Sequence, residues 1–419
     1  MKIVVFNVKF SENLGDGILA QCLEKALCRD GGIEVDTIDL AGRVCFGATS
    51  PHRRSAVRVL HVLPSFARRL AVTQALRSKL RALGDEWDRK ISAADAVVLG
   101  GGNLFQDDDL NFPLKIGTLL DRICRSGKPL AIYGVGVSGA WSPRAYQLFQ
   151  RVEETRLVYL AVRDRASRDN WRRHFPKGQA PVVVPDPGLL ARDLLSAGVG
   201  EGVNNVERGV GICVTDPLIL ARHSNRPPRG VCFSTLGEYE LLVRLLVERG
   251  ERVCLFCNGA REDQAFAERI FFGDRLASSR STGLLRLAER PGTPEELMDV
   301  IRSNSVMLAH RLHACIAAYA LGIPHVGLGW DQKVESFFRS VGREDFFADG
   351  PQFSPQRICL LLQEAAASGI DRARQEAGLA DAAAGVRSLR NHLLTWKKLT
   401  PEPMCSPLLG SRAETVLGS

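Results

Sequence analysis

No apolar run in this chain approaches the ~20 residues that a helix needs to cross a bilayer. The opening residues, "MKIVVFNVKF", pass from a short apolar run into a polar loop and lack the long apolar core and small-residue cleavage site of a secretion signal. They read as a first β-strand, and the expected location is the cytoplasm. Cysteine pairing is missing as well. The eleven cysteines are odd in number and scattered from Cys22 to Cys405. The one close pair, Cys254 and Cys257 in "VCLFC", has no second C-x-x-C or paired histidine beside it. The cysteines therefore read as reduced core residues, with neither a disulfide framework nor a metal site expected.

What is present is ordinary globular material: 45% hydrophobic and 24% charged residues in a chain of 419, too long for one core and enough for two domains. The net charge of +8 is unevenly placed. Residues 43–90 hold eleven Lys and Arg against three acidic residues. A stretch like this suits anionic partners such as lipid head groups or phosphates, and equally a solvated helix face. No RNA- or DNA-binding motif accompanies it, so no nucleic-acid partner is expected.

Short apolar runs alternate with helical patterns along the first half. Strands are expected at 2–7, 33–40, 94–102, 129–139, 157–164 and 181–188, with helices near 17–29 and 113–126 between them. Strands separated by helices imply parallel βαβ units. Residues 196–208, in a Gly- and Asn-rich stretch without periodicity, read as a linker. The alternation restarts at 209 with strands at 209–214, 252–257, 305–309 and 325–328, and helices at 235–249, 261–271, 293–302 and 311–320. The expected class is α/β: an N-terminal Rossmann-like domain over 1–195, a C-terminal one over 209–395, and a loose tail over 396–419. In such folds ligands bind beyond the carboxyl ends of the strands.

The strand ends supply a short set of candidates. "SENLGDG" places Asn13 and Asp16 after the first strand, where Asp16 suits either a helix N-cap or a ligand. "LGGGNLFQDDD" offers Gly101, Gly102 and Asn103, whose backbone N–H groups can form an anion nest. This stretch is not G-x-G-x-x-G, and no G-K-[ST] follows it. "GVGVSG" repeats the arrangement with Gly134 and Gly136, so a glycine-lined floor is expected. "AVRDRAS" puts Arg163 at a strand end, suited to carboxylate or phosphate, or to a surface ion pair. In "MLAHRLHACIAAYALGIP", His310, Arg311 and His313 fall where a strand ends and a helix begins. A helix N-terminus with an arginine favours an anion, and a histidine there can act as acid or base. "GWDQKVESFF" adds Lys333 at the next helix start.

Taken in order, "NLGDGIL", "ADAVVLGGGNLFQD", "YGVGVSG", "VRDRAS", "VPDPGLL", "HRLHACIAAYALGIP" and "WDQKVESFF" resemble the polysaccharide pyruvyl transferase family over about residues 3–347. The resemblance implies a glycosyltransferase-B-like fold of two Rossmann-like domains facing a cleft, with the acceptor on the N-terminal side and the donor on the C-terminal side. It implies transfer of the enolpyruvyl unit of phosphoenolpyruvate onto two hydroxyls of a sugar in a polysaccharide or lipid-linked glycan, giving a pyruvate ketal and phosphate. Carried over by position, Arg163 and Arg311 would hold the donor and His313 would be the acid, with Lys333 assisting. No cofactor is expected, and the setting would be the inner membrane face, with 43–90 as an acceptor- or membrane-facing element.

The chain departs from the family pattern in three places. The first loop lacks a glycine-rich lead-in, "GVGICVTDP" lacks a Ser-Leu-Arg, and His310 stands where relatives often carry Ser or Thr. Two other readings compete. One is a nucleotide-sugar glycosyltransferase of the same fold, for which Glu295 and Glu296 would be the nucleotide-binding acids. The other is a non-catalytic glycan-binding relative.

Overall fold

In the computed structural model the described residues are 1–47, 63–195, 209–223 and 231–399. The first half contains β1 (Lys2–Asn7), α1 (Leu14–Cys28), β2 (Glu34–Asp39), α2 (Ser65–Ala93), β3 (Ala96–Phe105), α3 (Asn111–Ser126), β4 (Pro129–Val137), α4 (Pro143–Phe149), β5 (Arg156–Val162), α5 (Arg165–His174) and β6 (Val182–Val183). The second half contains β7 (Val210–Val214), α6 (Pro217–His223), α7 (Leu236–Glu248), β8 (Val253–Cys257), α8 (Arg261–Phe271), α9 (Ala277–Ser281), β9 (Leu285–Leu287), α10 (Pro294–Arg302), β10 (Val306–Ala309), α11 (Leu312–Ala320), β11 (His325–Leu328), α12 (Gln332–Ser340), β12 (Phe347–Ala348), α13 (Pro355–Ser368) and α14 (Arg372–Leu399).

Each half forms one six-stranded parallel sheet, ordered β2-β1-β3-β4-β5-β6 and β12-β11-β10-β7-β8-β9. The central strands are near-continuous Val, Ile, Leu and Gly, buried on both faces as helix-covered parallel strands must be. Registers such as Val5 opposite Val98 and Ile212 opposite Leu308 bring the strand ends of each sheet to one side. Local signals stop and start the helices. Thr235 and Glu238 form a capping box at α7, Thr293 caps α10 with Pro294 behind it, and Gly127 ends α3 at φ 64°.

An apolar layer joins the two sheets. It is made by α1, the 3₁₀ segment Pro187–Leu194, α11 and α14, with Leu14, Ile18, Leu189, Ile316 and Leu389 all buried in it. The expected tail boundary at 396 is corrected here, because α14 runs to Leu399 and its last turns dock on the N-terminal half. Lys397 reaches Asp95 at 2.7 Å, and Arg156 lies over the Trp396 ring at 4.9 Å. The expected linker 196–208 and the rest of the tail lie outside the described residues.

The basic stretch 43–90 also resolves into structure where it is described. Its α2 buries Leu80, Trp87 and Ile91, with Trp87 edge-on to Phe6 at 5.5 Å. Several of its cations are paired within the chain: Arg68 with Asp109 at 3.0 Å, Arg69 with Asp107 at 3.6 Å and Lys90 with Asp36 at 2.6 Å. Arg77, Lys79, Arg81 and Arg89 remain exposed along it. Among the described residues no helix is long and apolar enough to cross a membrane.

Candidate active site

The carboxyl ends of the two sheets face each other across a cavity of about 570 Å³. From the N-terminal half it is lined by Asn13, Asp16, Arg43, Asn103, Lys115 and Arg163, among others, and from the C-terminal half by Arg311, Trp330, Asp331 and Lys333. Five cations therefore converge on one small space. This is what an anion with more than one charged group requires.

Arg163 leaves the end of β5 with its N–H bonded to Val135 O at 3.0 Å. The next residue, Asp164, caps α5 by accepting from Ser167 N at 2.7 Å. The Arg163 side chain is 8% exposed and only loosely paired, at 3.4 Å from Asp164 and 3.9 Å from Asp186. Most of its N–H groups are thus available to a ligand. Gly136 makes this placement possible. A Cβ there would stand 2.4 Å from Asn103 Oδ1 and 2.7 Å from Arg163 Nη2, so only glycine lets the two side chains meet over β4.

Arg311 is the extended residue that precedes α11, and His313 is the second residue of that helix. The two side chains accordingly diverge. Arg311 Nη2 donates to Asp263 Oδ2 at 2.5 Å, against a carboxylate with no exposure. Burial works against the guanidinium charge, but Asp263 more than offsets it, so its pKa lies above the ordinary value and the group stays charged. Burial lifts the Asp263 carboxyl, with Arg311 and the Asp216 N–H pulling the other way. Arg311 Nε is buried without a hydrogen-bond partner.

His313 crosses to the other half. Its Nδ1 is 3.5 Å from Asp16 and its Nε2 is 3.7 Å from Asp186. Gly15 permits the approach, since a Cβ there would lie 2.4 Å from His313 Cβ. The halves are also bonded directly: Leu14 N donates to Asn258 O at 2.9 Å, and Asn258 Nδ2 donates to Asn13 Oδ1. Lys333 Nζ pairs with Asp331 at 2.8 Å and lies over Trp330 at 5.0 Å. Asp331 is held below the usual carboxylate range; burial opposes this, but Lys333 and Arg163 outweigh it. Among the described residues no group of three or more His, Cys, Asp or Glu is placed to hold a metal ion.

Against this geometry, the family model for polysaccharide pyruvyl transferases matches residues 13–332 of the chain. The chain belongs to this family. No curated protein matches it significantly. Among solved structures it is similar to the Methanocaldococcus jannaschii UDP-GlcNAc 2-epimerase in complex with UDP-GlcNAc and UDP. The TM-score there is 0.53 and the identity 12%, over 94% of this chain and 99% of that one. It is also similar to the Staphylococcus aureus MnaA–UDP structure, with a TM-score of 0.54 and 10% identity over 95% and 97%. At such identity the likeness shows the fold alone: two Rossmann-like domains in the glycosyltransferase-B-like arrangement.

Within this pyruvyl transferase family member, the cavity brings together Asn13, Asp16, Asn103, Arg163, Arg311 and Lys333, with His313 behind Asp16. The expected glycine-lined floor is corrected. Gly101, Gly102, Gly134 and Gly136 lie inside β3 and β4, not in loops, and none lines the cavity. Gly101, at φ 76°, packs on Leu19, and Gly134, at φ 62°, on Pro187. Gly134, Gly136 and Gly139 have the G-x-G-x-x-G spacing, but no helix opens until Pro143, so no dinucleotide site forms.

His310 is also corrected as a substrate contact. It is fully buried, its Nε2 2.8 Å from Cys232 O and its Nδ1 3.4 Å from the Tyr239 hydroxyl. Burial and Arg311 push its pKa down to about 4, so it is a neutral core residue. Glu295 and Glu296 occupy the first turn of α10, where Glu295 accepts from Gln21 at 2.8 Å and Glu296 from Gly292 N at 2.7 Å.

Three site residues escape sequence reading. Asp186 lies within "VPDPGLL", where it reads as an ordinary turn residue before a proline. Asp263 sits one turn into α8 and looks like an ordinary first-turn acid. Lys115 is 7% exposed on α3, where burial first, then Arg43, drop its pKa to about 8 against the pull of Asp39 and Asp108. The same wall carries three successive non-glycine residues at positive φ, Asp108 (41°), Asp109 (54°) and Leu110 (71°). Such strain concentrates at functional sites.

Proposed function

We propose that this protein transfers the enolpyruvyl group of phosphoenolpyruvate onto two hydroxyls of one sugar, forming a pyruvate ketal and releasing phosphate. The observation that carries the reading is the convergence of Arg163, Arg311 and Lys333, from both halves, on one cavity beside His313. Phosphoenolpyruvate carries a carboxylate and a phosphate close together. Two guanidiniums and an ammonium match that pair of anions.

Protonated His313 gives its proton to the donor's methylene carbon, leaving positive charge at C2. The first sugar hydroxyl bonds to C2 and loses its proton. The second hydroxyl bonds to C2 as the C2–O bond to phosphate breaks, and phosphate departs held by the arginines. One hydroxyl proton replaces that spent by the acid, and the other leaves with phosphate or solvent. No cofactor enters this scheme.

Ser11, Asn111, Asn170 and Asp108 offer hydroxyl-binding groups on the N-terminal wall, which we assign to the acceptor sugar. The exposed Arg77, Lys79, Arg81 and Arg89 of α2 suit the head groups around a lipid-linked acceptor at the inner membrane face. Binding to anionic vesicles that weakens with salt and with Arg77→Gln/Lys79→Gln tests that surface.

The deciding experiment mixes the protein with phosphoenolpyruvate and a panel of glycans, following phosphate release and the ketal methyl signal by NMR. His313→Ala should abolish both. Arg163→Gln and Arg311→Gln should each weaken phosphoenolpyruvate binding in a ligand titration by roughly 10-fold or more, about 1.4 kcal/mol. Nucleotide release from a UDP-sugar, with none of phosphate, would overturn the reading. The engaged carboxylates of Glu295 and Glu296 weigh against that outcome.

A further inference from the structure

Asp186 stands between the two groups on which the proposed chemistry depends. It follows β6 and caps the 3₁₀ segment Pro187–Leu194, with one oxygen accepting from Gly188 N at 2.8 Å. Its other oxygen, Oδ2, is buried with no hydrogen-bond partner. That oxygen lies 3.7 Å from His313 Nε2 and 3.9 Å from Arg163 Nη1. A cap needs one acceptor atom, and serine or asparagine would serve. A second carboxylate oxygen buried without a bond is costly unless cations face it. Here both facing cations belong to the site.

We infer that Asp186 is the positioning residue of the acid: its buried carboxylate faces the His313 ring, orients it and favours its cationic form over a neutral one, and ties it to Arg163 across the two halves. This rests on the reading of His313 as the proton donor. Burial works against the Asp186 charge, but His313, Arg163 and the Gly188 N–H outweigh it and hold the carboxyl below its ordinary range, so it is ionised. The groups around the pair are few. Asp16 on α1 flanks the other ring nitrogen, Arg311 precedes His313 by two residues, and Cys22 and Tyr133 face Asp186 and are kept neutral, chiefly by burial. Among the described residues no other charged side chain forms an ion pair with His313. Asp16 is the more exposed carboxylate, 19% against 4%, so solvent screens it more and Asp186 is the stronger partner.

The consequence is a division of labour. The C-terminal half carries the acid, and the N-terminal half carries the carboxylate that charges it. The imidazolium is then favoured only while the halves are packed together, so donor protonation is confined to the assembled cleft.

The test uses the full chain with ¹⁵N-labelled histidine, the His313 signal being the one missing from His313→Gln. Asp186→Asn removes the charge and keeps a cap acceptor. Asp186→Ser does the same with a different side chain, so the result does not depend on one variant folding. Each should lower the pH midpoint of His313. The alkaline fall of kcat/KM for phosphoenolpyruvate should move to lower pH by the same amount, while Asp186→Glu, which keeps the charge, retains most of the wild-type midpoint. An unmoved midpoint in folded Asn and Ser variants overturns the inference, whatever the activity. A wild type that releases no phosphate from phosphoenolpyruvate overturns the functional reading instead, and the midpoint shift still reports on the pair.

Discussion

Replacing Lys115 with methionine should make the protein more stable and less active. The lysine lies on α3 with 7% exposure and no carboxylate within ion-pair distance among the described residues. Its pKa falls from 10.5 to about 8 in the fold. That difference of 2.5 units, at about 1.4 kcal/mol each, is a cost of ~3 kcal/mol for holding the ammonium charged at pH 7. The sign follows from the direction. A depressed lysine pKa penalises the folded state fully below pH 8, and the penalty fades as pH rises from 8 to 10.5, where the unfolded lysine also becomes neutral. Lys115→Met, nearly isosteric, should therefore raise stability by up to ~3 kcal/mol at pH 7 and by almost nothing at pH 10.5. Urea denaturation of both proteins at the two pH values reads the difference directly. A variant that is no more stable at pH 7, or equally shifted at both, would refute the reasoning. The cost is tolerated because the group faces the cavity, so the same variant should lose acceptor turnover.

Other perturbations probe the rest of the site. Gly136→Ala puts a methyl group against Arg163 and Asn103, and should raise the phosphoenolpyruvate Kd by about 10-fold or more without shifting the melting temperature by more than a few degrees. Asp263→Asn leaves Arg311 buried without its counter-charge, a loss of about 3 kcal/mol in denaturant titrations together with weaker donor binding. His325 is fully buried, and burial with Arg343 pushes its pKa down to about 3. Its contribution is complete above its ordinary value of 6.5 and is lost as pH falls towards 3. His325→Phe should then recover ~3 kcal/mol of acid stability at pH 4.5 relative to wild type, measured as the change in urea midpoint between pH 7 and 4.5.

Much of the architecture is legible in the sequence because parallel strands buried on both faces leave plain apolar runs. "KIVVFN", "VCLFC" and "HVGL" are strands within a residue of expectation. Helix α2 is hidden by its own charge. Leu76, Leu80, Leu83, Trp87 and Ile91 recur at helical spacing, but eleven basic residues across 43–90 draw attention away from the stripe. The glycines mislead for a related reason. A glycine run signals close approach without saying by what, and here the partners are Leu19, Pro187 and Arg163, not a ligand. Histidines at a strand end are equally ambiguous. His310 and His313 sit three apart in sequence, yet one faces Tyr239 in the core and the other faces Asp16 across the cleft.

Asp186 and Asp263 could not be found from local pattern, because their charged partners are distant in sequence: Arg163 and His313 for Asp186, the latter in the other half of the chain, and Arg311 for Asp263. That distance is itself informative about how the site works. Arg163 and Asp186 follow strands of the first sheet, while Arg311 and His313 follow a strand of the second, so neither half alone assembles the proposed donor site. The loop after β1 holds the halves in register. Leu14 N is bonded to Asn258 O, and Gly259, at φ 100°, lets Glu12 and Leu14 pack where a Cβ would clash at 2.6 and 2.5 Å. Asp16 lies two residues beyond this contact, and its placement against His313 depends on it. A substitution at Gly259 should thus act at a distance, disturbing the placement of His313 through the register of α1 rather than through any contact of its own with the cavity.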